Sequence, residues 1–261
     1  MSPFLDSFPI KPGVNRSPKR GDVPVRAFLF DTYGTVCDFY GPLKSAFERV
    51  ALAKNLGCDA GRLAIEWRNA YARSTFLAAG SGMPFRPLKD IHRENLAAVF
   101  PAPLDEDEIN EMLAAWNRLE PWPDVADGLH ALKKLAIIAP LSNGNFDDMV
   151  ALARHASLPW DIILGSSVAR AYKPHPDIYL KSIEALCLAP EEVCMVAAHQ
   201  VDLVYAAGHG MQTAFVIRRD EFGGPVKVPG SDDLSAAEVQ VEGEWTYVAE
   251  SFVELAAQQQ L

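Results

Sequence analysis

The chain reads as an α/β protein, a parallel sheet with helices on both faces and a separate helical unit inserted after the first strand. Three observations predict this. Residues 25–30 form an apolar run broken only by Arg26, which is how a strand buried on both faces of a parallel sheet reads. From Leu43 to Leu119 the pattern is helical, with no convincing strand. After Pro121-Trp122-Pro123, short apolar runs alternate with amphipathic ones, as successive parallel strands and their crossover helices require. A chain of 261 residues has room for one large or two modest domains. The expected division is a loose leader over 1–22, a Rossmann-like core over 23–41 and 121–261, and a helical cap over 42–120.

In chain order, residues 1–22 contain Pro, Ser, Lys and Arg and lack the apolar centre of a signal peptide. The first strand ends in Asp31-Thr32-Tyr33-Gly34-Thr35, and residues 36–42 are a short linker with a Gly-Pro break. Leu43, Phe47, Val50, Ala51 and Lys54 recur at helical spacing, and Gly57 can end that helix. Leu63, Trp67, Ala70, Tyr71 and Ser74 mark a second helix, with Trp67 and Tyr71 read as core packing. Residues 80–84 are a loop. A third helix over 89–100 stops at Pro101-Ala102-Pro103. Asp105 with Glu108 forms a capping-box variant that opens a fourth helix through Leu119. Beyond it, helices are expected over 125–135, 146–156, 176–186 and 201–207. Strands are expected over 137–141, 162–164, 193–197 and 213–217. Residues 223–243 read as an acidic loop, and a helix over 248–258 closes the fold.

Composition narrows the function. A net charge of -10 argues against unspecific nucleic-acid binding, though not against a small anionic substrate. No apolar run approaches the length of a membrane span. Cys37, Cys58, Cys187 and Cys194 show no CxxC spacing; Cys187 and Cys194 read as core thiols, and a reducing cytoplasm is the simplest compartment. His92, His130, His155, His175 and His209 are scattered without metal-ligand spacing.

Polar residues follow four of the expected strands: Asp31, then Ser142-Asn143-Gly144, then Tyr172-Lys173-Pro174, then His199 and Asp202. Carboxyl ends of parallel strands share one edge of the sheet, so these groups can converge there. Asp31 is placed either to act as a nucleophile or to start a turn. Ser142 and Asn143 can equally cap the next helix, and Asp202 can simply favour the first turn of its own.

Together with Trp67-Arg68-Asn69, Leu141-Ser142-Asn143-Gly144-Asn145 and Val196 to Leu203, these stretches resemble the haloacid dehalogenase superfamily, and within it the type II 2-haloacid dehalogenases. The resemblance runs from about Val25 to the C-terminus, helical cap included. It implies a hydrolase acting on carbon–halide bonds, converting small 2-haloacids to 2-hydroxy acids through an aspartyl ester and using no cofactor. Asp31 would be the nucleophile, Lys173 would hold it ionised, and Thr35 would hydrogen-bond it. Ser142 would bind the substrate carboxylate, and Arg68 and Asn143 the departing halide. Asp202 would order Lys173 and the hydrolytic water.

Tyr33 stands where phosphatases of the superfamily carry a second aspartate, the proton donor to the leaving oxygen, and it falls within the expected substrate- and halide-binding set. A tyrosine, with an ordinary pKa of about 10, is no acid at neutral pH, and a halide needs none. The missing carboxylate also weakens any Mg²⁺ site, so no metal is expected. Ala197-Ala198-His199 replaces the Ser-Ser-Asn of better-known members and looks like a sub-branch that includes fluoroacetate-active enzymes. His199 there polarises the water, hydrogen-bonds the halide, or is structural. The competing functions are a phosphatase of the same superfamily and a non-catalytic binder of small acids. The expected partner is a small halogenated carboxylic acid, with no nucleic acid and no membrane, and the family implies a homodimer.

Overall fold

The computed structural model describes residues 18–224 and 243–259. Most of the expected leader and most of the acidic loop lie outside the described residues. Six parallel strands form the main sheet: β1 (Ala27–Phe30), β4 (Ile137–Ser142), β5 (Leu164–Gly165), β6 (Val193–Ala197), β7 (Gln212–Val216) and β8 (Tyr247–Ala249). Their spatial order is β5-β4-β1-β6-β7-β8. Side chains alternate across a strand, and here the alternation divides the core. Phe28 and Phe30 belong to one buried cluster, Ala27 and Leu29 to the other. Helices α5 (Val125–Lys133) and α10 (Phe252–Gln258) cover the first face; α8 (Pro176–Ala185) and α9 (Gln200–Gly208) cover the second. Sheet and helices thus have the expected α/β architecture.

β1 lies between β4 and β6, and the chain runs outward from it on both sides. The mouth of β1 is therefore the point where the strand order reverses, the crevice in which open α/β sheets bind ligands.

Between β1 and β4 the chain builds a helical layer from α1 (Tyr40–Ala53), α2 (Ala60–Gly80), α3 (Leu88–Val99) and α4 (Glu106–Ala115). Asp59 caps α2 by accepting the Arg62 N–H at 3.0 Å. The capping box at α4 is formed as expected: Asp105 accepts the Glu108 N–H at 2.9 Å, and Glu108 accepts the Asp105 N–H at 2.8 Å. The layer is held by aromatic packing, with Trp67 edge-on to Trp116 and Phe47. Trp67 also donates its indole N–H to the His92 carbonyl at 3.0 Å, a core role.

Several local expectations need correction. The stretch 36–42 is not merely a linker, because β2 (Cys37–Asp38) pairs antiparallel with β3 (Glu120–Pro121), joining the chain as it leaves the sheet to the chain as it returns. α4 ends at Ala115 rather than Leu119, since the N–H groups of Trp116, Asn117 and Arg118 bond to carbonyls three residues back and tighten the chain into turns. Val248 lies in β8, not in the closing helix; its two neighbours Tyr247 and Ala249 are buried while it is exposed, a strand pattern too short to see in the sequence. The helix α6 (Phe146–His155) matches its expected span closely, and the one-turn helix α7 (Ser166–Ala169) was not anticipated. Cys194 is buried as expected, but Cys187 is exposed, because it occupies the left-handed position (φ 54°) just past α8.

Candidate active site

Asp31 continues β1 by one residue, its N–H donating to the Val196 carbonyl at 2.9 Å. The chain then turns sharply. Gly34 adopts φ +92°, a conformation that suits glycine, and the Gly34 N–H returns to the Cys37 carbonyl at 2.8 Å. The indole of Trp122 donates to the Gly34 carbonyl at 2.8 Å, and Arg218 Nε to the Thr35 carbonyl at 2.9 Å. This loop aims both the Asp31 carboxylate and the Thr35 hydroxyl into the crevice.

Side chains from three separate stretches of the sequence meet there. Lys173 Nζ donates to Asp31 Oδ1 at 2.7 Å and to Asp202 Oδ2 at 2.6 Å. Thr35 Oγ1 donates to Asp31 Oδ2 at 2.6 Å and accepts the Ala198 N–H at 2.9 Å. His199 Nδ1 lies 2.9 Å from the same Oδ2. Asp31, Lys173, His199 and Asp202 are each at most 7% exposed, so these are interactions in a low dielectric, where each counts for more than at a surface.

Burial by itself would push the Asp31 carboxyl up, but the charges and hydrogen bonds of Lys173 and His199 outweigh it and hold the group well below the usual carboxylate range. Burial works against the Lys173 ammonium too; Asp202 and Asp31 reverse that and keep it firmly protonated. Asp202 is the higher-titrating carboxyl of the pair, raised by burial and by the negative Asp31, with Lys173 pulling the other way. Asp31 is thus an ionised, oriented carboxylate, with no second carboxylic acid at the Tyr33 position. Such a group can attack an electrophilic carbon.

The helical layer contributes Arg68 from α2. Its guanidinium lies over the rings of Phe222 and Phe39, at 5.3 Å and 5.8 Å from their centroids, and its Nη2 is 3.0 Å from His199 Nε2. A buried cation between two aromatic faces is suited to an anion of small size. Asn143 accepts the Lys173 N–H at 2.8 Å, and its Nδ2 is 3.5 Å from Thr75 of α2. Ser142 Oγ accepts the Gly144 N–H at 3.1 Å and keeps its own proton to donate. Tyr33 is buried against Tyr71 and Trp116, its hydroxyl without a hydrogen-bond partner and its ionisation pushed far up by burial. It lines the crevice as a neutral aromatic.

One participant had no signal in the sequence. Glu221 is fully buried, and its Oε1 lies 2.8 Å from His199 Nε2 and 3.6 Å from Arg68 Nη2. It sits in the charged stretch Arg218-Arg219-Asp220-Glu221-Phe222 after β7, where a solvated loop is the ordinary reading. Only its position after a fifth strand end was available as a clue.

Asp31, His199 and Asp202 offer donor atoms within 4.8 Å of one another. The Lys173 ammonium, however, already bridges the two carboxylates, so a divalent cation would have to displace it.

Comparison with known proteins bears on this geometry. A family model described as haloacid dehalogenase-like hydrolase matches residues 25–210. The chain is similar to an (S)-2-haloacid dehalogenase of Xanthobacter autotrophicus, at 32% identity over 74% of this chain and 76% of that protein. Its structure is similar to that of a defluorinating L-2-haloacid dehalogenase, with a TM-score of 0.81 and 38% identity over 91% of this chain and 96% of the other. It also resembles the Xanthobacter autotrophicus L-2-haloacid dehalogenase with chloropropionic acid covalently bound, at a TM-score of 0.76 and 26% identity over 90% and 98% of the two chains.

Proposed function

Since the chain belongs to the haloacid dehalogenase-like hydrolases, we propose that it hydrolyses small 2-haloacids, such as haloacetate and 2-halopropionate, to 2-hydroxy acids. The observation that carries this reading is the state of Asp31: a buried carboxylate kept ionised by Lys173 and His199, with a neutral Tyr33 where a second aspartate would be needed to protonate a leaving oxygen. That combination suits a leaving group that departs as a bare anion. It does not suit an alkoxide leaving from phosphorus, which counts against the phosphatase alternative.

In this mechanism Asp31 attacks the carbon bearing the halogen. A C–O bond forms, the C–X bond breaks, and the halide leaves with the bonding pair. Lys173 and Thr35 hold the attacking carboxylate in one orientation. Arg68 and Asn143 receive the halide, and the neutral ring of Tyr33 borders the same space. The Ser142 hydroxyl and neighbouring backbone N–H groups bind the substrate carboxylate. Water then attacks the Asp31 ester carbonyl, with Asp202 keeping Lys173 in place, and the hydroxy acid leaves.

The reading divides the chain into a core (23–41 and 121–261) and a helical cap (42–120), with α2 supplying Arg68 across the crevice. It extends to a cytoplasmic homodimer; the four free thiols and the absence, among the described residues, of any helix long and apolar enough to cross a membrane are in keeping with that.

The test is halide release from chloroacetate, fluoroacetate and 2-chloropropionate with a chelator present, accompanied by a single turnover in ¹⁸O-water. Halide should appear despite the chelator, and the product of the first turnover should carry no solvent oxygen, because that oxygen enters Asp31. Phosphate-ester cleavage that needs magnesium, without halide release, would refute the reading.

A further inference from the structure

We propose that His199, positioned by Glu221, is the base that hydrolyses the Asp31 ester, and that esterification of Asp31 is itself what frees His199 to act as a base. The inference rests on the dehalogenation reading above and assigns the second half of that reaction.

The charges around His199 motivate it. Asp31 and Glu221 face its two nitrogens at 2.9 Å and 2.8 Å, Arg68 faces Nε2 at 3.0 Å, and Asp202 and Lys173 stand just behind Asp31. Three carboxylates therefore confront two permanent cations, and an imidazolium at His199 balances the set. Burial disfavours that charge, but Glu221 and Asp31 hold the imidazole protonated well above the usual histidine range. With both nitrogens donating, resting His199 can accept no proton.

Attack on substrate removes one carboxylate. The Asp31 ester is neutral, while Lys173 and Arg68 keep their charges. His199 has then lost one of its two anionic partners in a site where little else can screen the change. Its Nδ1 proton is released to solvent along with the departing halide. Which nitrogen keeps the remaining proton decides whether the ring is useful. A guanidinium only donates, so Arg68 favours a bare Nε2; Glu221 only accepts, so it favours a protonated Nε2. Glu221 has the shorter contact, 2.8 Å against 3.0 Å, and a proton shared with it leaves the Nδ1 lone pair facing the ester.

A water whose oxygen bonds to Asp31 Cγ passes one proton to Nδ1. The tetrahedral intermediate expels the alkoxide, which takes the second. Asp31 is again a carboxylate, His199 again an imidazolium, and the cycle has consumed one water and released one halide and one proton.

Glu221 is an expensive residue to keep for any lesser purpose. It is fully buried and its Oε2 has no hydrogen-bond partner, an arrangement that costs stability. The nucleophile loop also makes room for it, since a Cβ at Gly34 would lie 2.1 Å from Glu221 Oε1.

The experiment uses the full-length enzyme, its Glu221→Gln and His199→Asn variants, and chloroacetate. Quenched samples are followed by intact-protein mass spectrometry for the ester and by halide release for the first step. Both variants should still release a first equivalent of halide, then accumulate the ester because its decay is slowed by about a hundredfold or more. Wild-type ester decay should rise with pH through a single ionisation, and Glu221→Gln should shift or flatten that rise. Ester decay at the wild-type rate in Glu221→Gln overturns the proposal. So does failure of both variants to form ester while the wild type turns over. Should neither variant fold, wild-type ester decay that stays level between about pH 5 and about pH 9 overturns it alone. A wild type that yields neither halide nor ester defeats the parent reading instead, and is told apart by the absence of any first step.

Discussion

Replacing Lys173 with methionine keeps most of the side-chain volume and removes one charge from the centre of the site. The ammonium is 7% exposed and bonds Asp31 at 2.7 Å and Asp202 at 2.6 Å, so two buried carboxylates lose their shared partner. Breaking a buried pair in this way costs about 3–5 kcal/mol. Thr35 and His199 still hydrogen-bond Asp31, whereas Asp202 keeps only the weaker pull of His199 against its burial, so Asp202 becomes the carboxyl that takes up a proton.

The sign of the pH dependence follows. A carboxyl raised in the folded state adds no penalty below its unfolded pKa of about 3.9, and a growing one as pH climbs to the folded value. The variant's deficit should therefore be small near pH 4 and full at neutral pH. There it corresponds to a drop of about 6–20 °C in Tm, at roughly 2–4 °C per kcal/mol for a chain of this size. Thermal unfolding across that pH range measures it. Halide release should fall at least about a hundredfold, the equivalent of roughly 2.7 kcal/mol in the barrier. A variant with wild-type Tm at neutral pH and undiminished halide release would refute the view of Lys173 as the group that keeps Asp31 ionised.

The other predictions concern the loop and the cap. Thr35→Val deletes a donor to Asp31 and the acceptor of the Ala198 N–H at nearly constant volume. It should cost about 1–3 kcal/mol in denaturant unfolding and slow the first halide equivalent. Gly34→Ala combines a positive φ with a Cβ 2.1 Å from Glu221 and 3.2 Å from His199 Cε1, so it should lose activity and lower Tm, whereas Gly82→Ala, which shares a positive φ of +65° but meets open space, should cost some Tm and retain activity. Arg68→Met should leave the fold largely intact, because methionine still packs between Phe39 and Phe222, yet halide release should fall sharply, as steady-state kinetics will report.

Much of this molecule could be read from residue order. β1, β4 and β6 are apolar runs because both faces of a parallel strand are covered, and each delivers a polar residue to the same edge; Asp31, Ser142 and His199 were visible for that reason. The Asp105 box was legible because its partners are three residues apart. The parts that escaped depend on long-range pairing. β2 and β3 are two residues each and gain their identity only from one another across the whole helical layer. Glu221 lies in a run of charges that looks solvated until the fold buries it against His199 and Arg68. Arg68 itself follows no strand, and only the family resemblance picked it out from the other arginines of the helices. Cys187 shows the converse failure: an apolar neighbourhood suggested burial, and a helix terminus put the thiol at the surface.

The β2–β3 ribbon has a consequence for traffic through the enzyme. Nucleophile, ammonium and guanidinium are each at most 7% exposed, so an acid from solution has little direct access to them with the helical layer seated on the sheet. The backbone crosses between these two bodies at Cys37–Asp38 and Glu120–Pro121, side by side and tied together. Two adjacent crossings make a hinge pin rather than a clamp. Swinging about it carries Arg68 away from His199 without disturbing Asp31, Lys173 and Asp202, which all ride on the sheet. Were the helical layer to swing on that ribbon, the swing would occur in every round of reaction, and its rate would cap throughput however fast the chemistry behind it.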